Sequence, residues 1–185
     1  MRHGFASSSS SIALAAIVTL APFGAARAHV VLEQGQAEAG TTYKAVLRVG
    51  HGCGDSPVTE LVVQIPPGVQ GARPMAKPGW QITVTRAPLS TPITSHGRTV
   101  TEDVSQIRWS GGRLDADQYD DFVLLGKLPE QPGPLYWKIA QICEKGRADW
   151  VEVPAPGQTL RDLKSPAALL EVRPAAAAAA PVHQH

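Results

Sequence analysis

Short segments in which apolar and polar residues alternate recur along most of this chain. In residues 42–49, for example, Tyr43, Ala45, Leu47 and Val49 fall on one face. Such alternation is typical of a β-strand with one buried face, and it does not supply the apolar stripe of a helix. The 185 residues include 17 glycines and 16 prolines, and turns built from them separate nearly all of the segments. The pattern therefore favours many short strands joined by turns.

These segments predict an all-β fold. We expect an antiparallel two-sheet sandwich of immunoglobulin- or fibronectin-like type with about 7–9 strands. The predicted strands are residues 30–33, 42–49, 58–65, 80–86, 106–110, 120–127, 135–143, 148–153 and 168–172.

The first 28 residues have the layout of a secretory signal peptide. They contain no acidic residue, and a nine-residue apolar stretch at 12–20 precedes Ala26-Arg27-Ala28, a small-x-small cleavage pattern. That stretch is far shorter than the roughly 20 residues of a membrane span. We predict a signal peptide at 1–28, a β-sandwich domain at 29–173 and a low-complexity Ala/His tail at 174–185. The mature protein is then periplasmic or secreted, with no membrane span after cleavage between Ala28 and His29.

The charge balance and the absence of catalytic motifs argue against two large classes of function. Lysine and arginine number 17 against 16 acidic residues, a net charge of +1, whereas a nucleic-acid binder usually carries a clustered basic excess. No nucleophile elbow, P-loop or pair of catalytic carboxylates is found. We therefore expect neither a nucleic-acid partner nor an enzyme.

The two cysteines predict one disulfide bond. Two cysteines in one exported domain usually form a bridge, and Cys53 and Cys143 lie 90 residues apart. By the chain-entropy model, closing such a loop stabilises the fold by about 4.5 kcal/mol. The alternative is a Cu(I) thiolate site that includes His51, two residues before Cys53.

Cleavage after Ala28 would make His29 the first residue, which has a chemical consequence. An N-terminal histidine offers its α-amine and its ring Nδ1 together, and the two nitrogens close a six-membered chelate on a metal ion. Nitrogen donors in a tetragonal arrangement suit Cu(II), which also heads the divalent affinity series. The prediction depends on the cleavage position, because one extra residue converts the amine into an amide.

An ordered series of motifs follows this terminus. They are His29-Val30-Val31-Leu32-Glu33, residues 39–49, His51-Gly52-Cys53, Pro78-Gly79-Trp80, Trp109-Ser110-Gly111-Gly112, Tyr119-Asp120-Asp121-Phe122, Gly126-Lys127-Leu128-Pro129 and Cys143-Glu144-Lys145-Gly146 ahead of Trp150. In this order and spacing, from about residue 29 to 170, the chain resembles the YcnI-like family of exported bacterial copper-binding proteins.

The resemblance implies a β-sandwich that holds one Cu(II) through a single-histidine brace, with a carboxylate and a tryptophan close to the metal. His29 takes the place of the brace histidine. Trp150 takes the place of the tryptophan, which would shield the metal, since an indole only donates hydrogen bonds and is a poor ligand. The implied role is to hold or deliver copper in copper homeostasis, with a copper-trafficking or membrane transport protein as partner.

The carboxylate ligand stays open. Glu33 is the first choice, because it falls on the same strand face as His29. Four residues of straight strand, however, separate their Cα atoms by about 13 Å, so Glu33 qualifies only if the terminus curls or a bulge intervenes. Glu38 is the second candidate, and Gln36 stands where some relatives have a glutamate.

Three further alternatives are open. His183 and His185 on the tail are able to capture a metal loosely. Copper enzymes that cleave polysaccharides oxidatively also use an N-terminal histidine brace, but they add a second histidine that sequence alone does not identify here. A metal-free sandwich that serves adhesion or interaction is the other rival, since such folds commonly serve recognition only.

Overall fold

The protein is described by a computed structural model that covers residues 29–95 and 97–175. The predicted signal peptide at 1–28 and residues 176–185 of the predicted tail, including His183 and His185, lie outside these residues. Among the described residues, no helix is long and apolar enough to cross a membrane. The strands are β1 Val31–Leu32, β2 Gln36–Glu38, β3 Thr42–Val49, β4 Val58–Gln64, β5 Gln70–Pro74, β6 Gln81–Ser95, β7 Arg98–Leu114, β8 Asp120–Lys127, β9 Gly133–Cys143, β10 Arg147–Trp150 and β11 Ala168–Arg173.

The strands form two sheets. One sheet has four strands in the order β1-β3-β8-β5, and the other has the order β2-β11-β9-β4-β7-β6. β10 joins the second sheet by pairing with β9, next to the segment of β9 that pairs with β11. A 3₁₀ turn, Leu160–Asp162, lies in the connection before β11. The all-β sandwich expected from the sequence is therefore confirmed.

The core lies between the facing sides of the two sheets. The apolar residues of the alternating segments point inward, as the strand period requires. Aromatic rings join the sheets: Phe122 of β8 meets Trp109 of β7 edge to face at a centroid distance of 5.6 Å. Trp80 meets the same Phe122 ring at 5.0 Å. Trp109 and Phe122 are fully buried, so this cluster anchors the centre of the sandwich.

The structure also departs from the predicted strands. β2 and β5 were not predicted, because three residues are too few for a pattern and QGARP does not alternate. β2 pairs in parallel with β11, an exception in a sandwich expected to be antiparallel. β6 and β7 extend well beyond the predicted 80–86 and 106–110. Their far ends pair only with each other, so they carry little of the apolar alternation that marks a core strand.

Candidate metal centre

Strand β1 carries His29 to one end of the sandwich. It pairs with β3 at the edge of the four-stranded sheet, with Val31 level with Arg48. The observed pairing begins at Val31, two residues after His29. Val30 is buried and anchors the beginning of the strand against the core. His29 thus lies just before an edge strand, next to a groove that β11 also lines.

The His29 ring packs against the indole of Trp150. The ring centroids are 5.1 Å apart and the planes are inclined by 75°, an edge-to-face contact. Trp150 is the last residue of β10 and is only 5% exposed, whereas His29 is half-buried. The family resemblance implies a tryptophan beside the brace histidine, and the structure brings the Trp150 and His29 side chains together.

Gln141 links Trp150 to the loop after β3. Its side chain is 1% exposed in a core that is otherwise almost entirely apolar. The indole Nε1 of Trp150 donates to Gln141 Oε1 at 3.3 Å, and Gln141 Nε2 donates to the carbonyl oxygen of His51 at 2.7 Å. The buried Gln141 amide therefore connects Trp150 at the end of β10 with the loop that contains His51.

The loop that contains His51 is firmly anchored. Cys53 and Cys143 form a disulfide with a Cα–Cα distance of 6.1 Å, which confirms the predicted bridge. Both sulfurs are thereby used, so the alternative Cu(I) thiolate site is excluded in this state. The Gly52 amide donates to Ala116 of the β7–β8 connection at 3.3 Å. A β-carbon at Gly52 would collide with the backbone oxygen of Ser56, so only glycine fits this turn.

His51 itself has one satisfied and one unsatisfied ring nitrogen. Nδ1 is in short contact with the carbonyl oxygen of Gly52. Nε2 is buried and has no hydrogen-bond partner in the part of the chain that the structure describes.

Glu33 lies beside Arg48 of β3. Its Oε1 is 3.8 Å from Arg48 Nη2, and the Arg48 guanidinium also forms two hydrogen bonds with the Asp121 carboxylate, at 3.0 and 3.1 Å. Hydrogen bonding to Asp121 is the largest cause that raises the pKa of Arg48 above its ordinary value, and Glu33 adds to it. β1 pairs regularly with β3, and the Glu33 amide donates to Val46, so no bulge separates residues 31 and 33. Glu33 as a ligand stays a prediction.

Glu38 and Gln36 belong to the other sheet. β2 pairs with β11, with Glu38 level with Arg173 and Gln36 level with Glu171. The Glu38 side chain is exposed, and its backbone oxygen accepts from the Thr41 hydroxyl.

A mostly apolar groove of about 440 Å³ opens next to His29. It lies between β1 and β11, and the 3₁₀ turn forms part of its wall. Its polar residues include His29, Arg161 and Glu171. Glu171 is thus a carboxylate that shares a groove with His29, and the sequence did not single it out because its position on β11 is distant along the chain.

Side chains alone do not form a complete metal site here. Among residues 29–95 and 97–175, no group of three or more histidine, cysteine, aspartate or glutamate side chains is close enough to hold a metal ion. A site at His29 would therefore depend on a donor that is not a side chain. If the chain were cleaved before His29, as the sequence predicts, its α-amine would be such a donor beside the half-buried ring that packs on Trp150.

Gln141 is the residue of this site that sequence reasoning missed. A signal was present, because Trp137, Ile139, Gln141 and Cys143 occupy the inward positions of one alternating strand. A glutamine at an inward position must find hydrogen-bond partners or pay the cost of desolvation. That requirement points to a buried polar contact, although it does not name the partner.

The fold and site define a class, an immunoglobulin-like β-sandwich with a histidine at the start of its first strand. A crystal structure of "an uncharacterized protein from Nocardia farcinica" that "reveals an immunoglobulin-like fold" is similar over 78% of this chain and 97% of that chain, with a TM-score of 0.59 and 20% identity. Residues 29–172 match the family described as "Domain of unknown function (DUF1775)", so the chain belongs to that family. No curated protein matches this chain.

Proposed function

We propose that this protein is exported, loses residues 1–28, and holds or delivers one Cu(II) at its new N-terminus. The observation that carries the proposal is the contact between His29 and the buried Trp150 at the residue where the family match begins. The His29 α-amine and ring would supply two nitrogen donors, a set that suits Cu(II). The YcnI-like resemblance of the sequence points to the same cargo.

Trp150 would cover one side of the ion rather than bind it. Its indole N–H is already used in the hydrogen bond to Gln141, and its ring faces His29. A large apolar surface beside the metal limits the approach of water from that side. The open groove beside His29 leaves another side free, which fits a protein that passes copper to a partner by ligand exchange.

The first test is a Cu(II) titration of the protein that starts at His29, beside a form that keeps Ala28 ahead of it. The extra residue preserves the imidazole but turns the amine into an amide. We expect one tightly bound Cu(II) in the first form and a large loss of affinity in the second. Equal binding by the two forms would overturn the proposal, and binding by neither would favour a metal-free interaction module.

A second experiment addresses the carboxylate. Glu33→Gln and Glu171→Gln remove, one at a time, the carboxylate expected from the sequence and the carboxylate that shares the groove with His29. Glu38→Gln tests the second candidate of the sequence, and Glu102→Gln, an exposed glutamate on β7 outside the groove, is the matched control. We expect Glu33→Gln to weaken Cu(II) binding. A loss confined to Glu171→Gln would move the charge-balancing role to β11.

A further inference from the structure

A cleft of about 400 Å³ opens between the distal part of the β6–β7 hairpin (residues 86–95 and 98–104) and the four-stranded sheet. The hairpin, β5 and β8 supply most of its lining residues, and Thr42 at the start of β3 also lines it. β1, which follows His29, pairs with β3 at residues 47–48, near the other end of that strand. The cleft therefore lies at the opposite end of β3 from the proposed copper site.

Two arginines give this cleft its positive charge. Arg73 of β5 and Arg86 of β6 line it together with Lys127 of β8, and Asp103 is the acidic residue among the described lining residues. Lys127 already forms an ion pair with Glu130, at 2.9 Å. Within residues 29–95 and 97–175, neither arginine has an ion pair or a side-chain hydrogen bond. Both guanidinium groups are thus available to an anion.

Asp103 is occupied by backbone groups rather than by these arginines. One oxygen of its carboxylate accepts from the Gly71 amide at 2.9 Å, and the other accepts from the Val104 amide at 2.7 Å. The bond to Gly71 joins the hairpin to β5, two of the elements that form the cleft. The walls are therefore connected before any ligand arrives, which lowers the ordering cost of binding.

Both arginines directly follow a shift in strand register. On β5, residues 71 and 72 together oppose one residue of β8, so that Arg73 is level with Leu125. Leu125 and Lys127 share one face of β8, two residues apart, and the bulge therefore places Arg73 on the face that carries Lys127. A second register shift precedes Arg86 of β6. Bulges are common next to functional sites, where they re-aim a side chain.

We propose that this cleft binds a small organic anion, with carboxylate or phosphate oxygens on Arg73 and Arg86 and an apolar part against Ile93 and Val100. A guanidinium presents parallel N–H groups that match the oxygens of either anion. Ile93 and Val100 line the cleft and are half-buried, so they offer the apolar contact. The volume lies within the range of small-molecule sites. This site is separate from the copper site and does not rest on the proposed function.

The test is a nuclear magnetic resonance titration of the metal-free protein with benzoate and, separately, with phenyl phosphate. The two probes share an apolar ring and differ in the acidic group, so they distinguish a carboxylate site from a phosphate site. We expect at least one probe to shift the amide resonances of Gly71 and Gly126, which line the cleft, in a saturable manner. In the double variant Arg73→Gln/Arg86→Gln the affinity should fall at least about tenfold, because hydrogen bonds between charged groups are the strong ones.

A second double variant, Arg98→Gln/Arg173→Gln, is the matched control. It removes the same charge at exposed arginines that do not line the cleft, and it should bind the probe like the native protein. Equal weakening in the two double variants would mean general charge attraction and would overturn the proposal. So would the absence of saturable shifts with both probes.

All four substituted arginines are exposed, so both variants should fold like the native protein. The native protein also gives a result that needs no variant. The resonances that move with the probe must centre on the residues of the cleft. Shifts centred instead on the groove beside His29, at Val31 and Leu169, would contradict the assignment.

Discussion

At the scale of single residues, a few buried polar groups determine how this end of the sandwich is arranged. Gln141 is the clearest case, because it satisfies the Trp150 indole and the His51 carbonyl at once while being almost completely buried. Such a residue contributes little net free energy when satisfied, but its removal leaves two partners without hydrogen bonds.

Replacing Gln141 by leucine should therefore destabilise the protein by at least about 2 kcal/mol, since each buried group left unpaired costs about 1–3 kcal/mol. Urea unfolding at pH 7 measures this. Gln64→Leu, an exposed glutamine on neighbouring β4, is the control and should change stability by less than about 0.5 kcal/mol. Equal effects of the two substitutions would contradict the bridging role of Gln141.

Tyr43 provides a second prediction, on alkaline stability. Its hydroxyl donates to the Gln34 carbonyl at 2.6 Å, and burial, with a smaller contribution from Glu33, raises its pKa from 10.0 to about 12. The folded protein thus holds this proton more tightly than the unfolded chain. The contribution of the protonated Tyr43 hydroxyl to the free energy of unfolding is complete below pH 10 and is lost as the pH rises from about 10 to about 12. At 1.36 kcal/mol per pKa unit, the loss is at most about 2.7 kcal/mol.

Tyr43→Phe removes this proton and tests the assignment. At pH 8 the variant should be less stable by about 0.5–1.5 kcal/mol, the value of the lost hydrogen bond. Between pH 10 and 12 its stability should fall less steeply than that of the native protein in urea unfolding. Parallel curves over that range would show that Tyr43 titrates alike in the folded and unfolded states.

At the scale of strands, a buried carboxylate links the β6–β7 hairpin to the four-stranded sheet. Its distal part extends beyond the stretch of β7 that pairs with β4. Asp103 is buried there, and its carboxylate accepts hydrogen bonds from the Gly71 amide of β5 at 2.9 Å and from the Val104 amide at 2.7 Å. The bond to Gly71 is a direct hydrogen bond between the hairpin and the four-stranded sheet.

Asp103→Asn should weaken the attachment of the hairpin to β5. Asparagine keeps one acceptor oxygen, and its NH₂ group then faces a backbone N–H, so one bond is lost and two donors oppose each other. We expect a loss of about 1–3 kcal/mol and faster cleavage of the hairpin by a protease. The exposed neighbour offers a control, Glu102→Gln, which should behave like the native protein. Unchanged proteolysis of the first variant would mean that other contacts hold the hairpin.

The core strands could be predicted from the sequence, whereas the hairpin and the site could not be predicted fully. β3 and β8 were predicted at their observed bounds, because each is a short apolar segment bounded by turn residues, and β3 also alternates except at Val46. The distal hairpin has no core to cover, so it leaves no such mark. The pairing of His29 with Trp150 required the family resemblance. The position of the His51 loop depends on the disulfide and on a hydrogen bond from Gln141 of β9, contacts between residues that are far apart in sequence.

At the scale of the whole molecule, the disulfide joins the connection between β3 and β4 to the end of β9, across 90 residues. Replacing both Cys53 and Cys143 by serine should lower the free energy of unfolding by about 4.5 kcal/mol, according to the chain-entropy model. That is a large share of the roughly 5–15 kcal/mol of a typical domain. Urea unfolding of the double variant, beside native protein with and without reductant, measures it. A change below about 1 kcal/mol would show that the bridge constrains the unfolded chain little.

The two-residue length of β1 has a consequence for how a bound ion is released. This strand lies at the edge of its sheet and pairs with a single neighbour, β3, so detaching it breaks few hydrogen bonds and leaves the remaining sheets paired. Partial opening of such an edge is the cheapest fluctuation of a fold, and a ligand that bridges the edge suppresses it. Amide hydrogen exchange at Val31 and Leu32 should therefore be fast without copper and slow with it, while exchange in the centre of β3 stays unchanged. Detachment of β1 from β3 would then let a copper acceptor reach the ion while the rest of the protein stays folded.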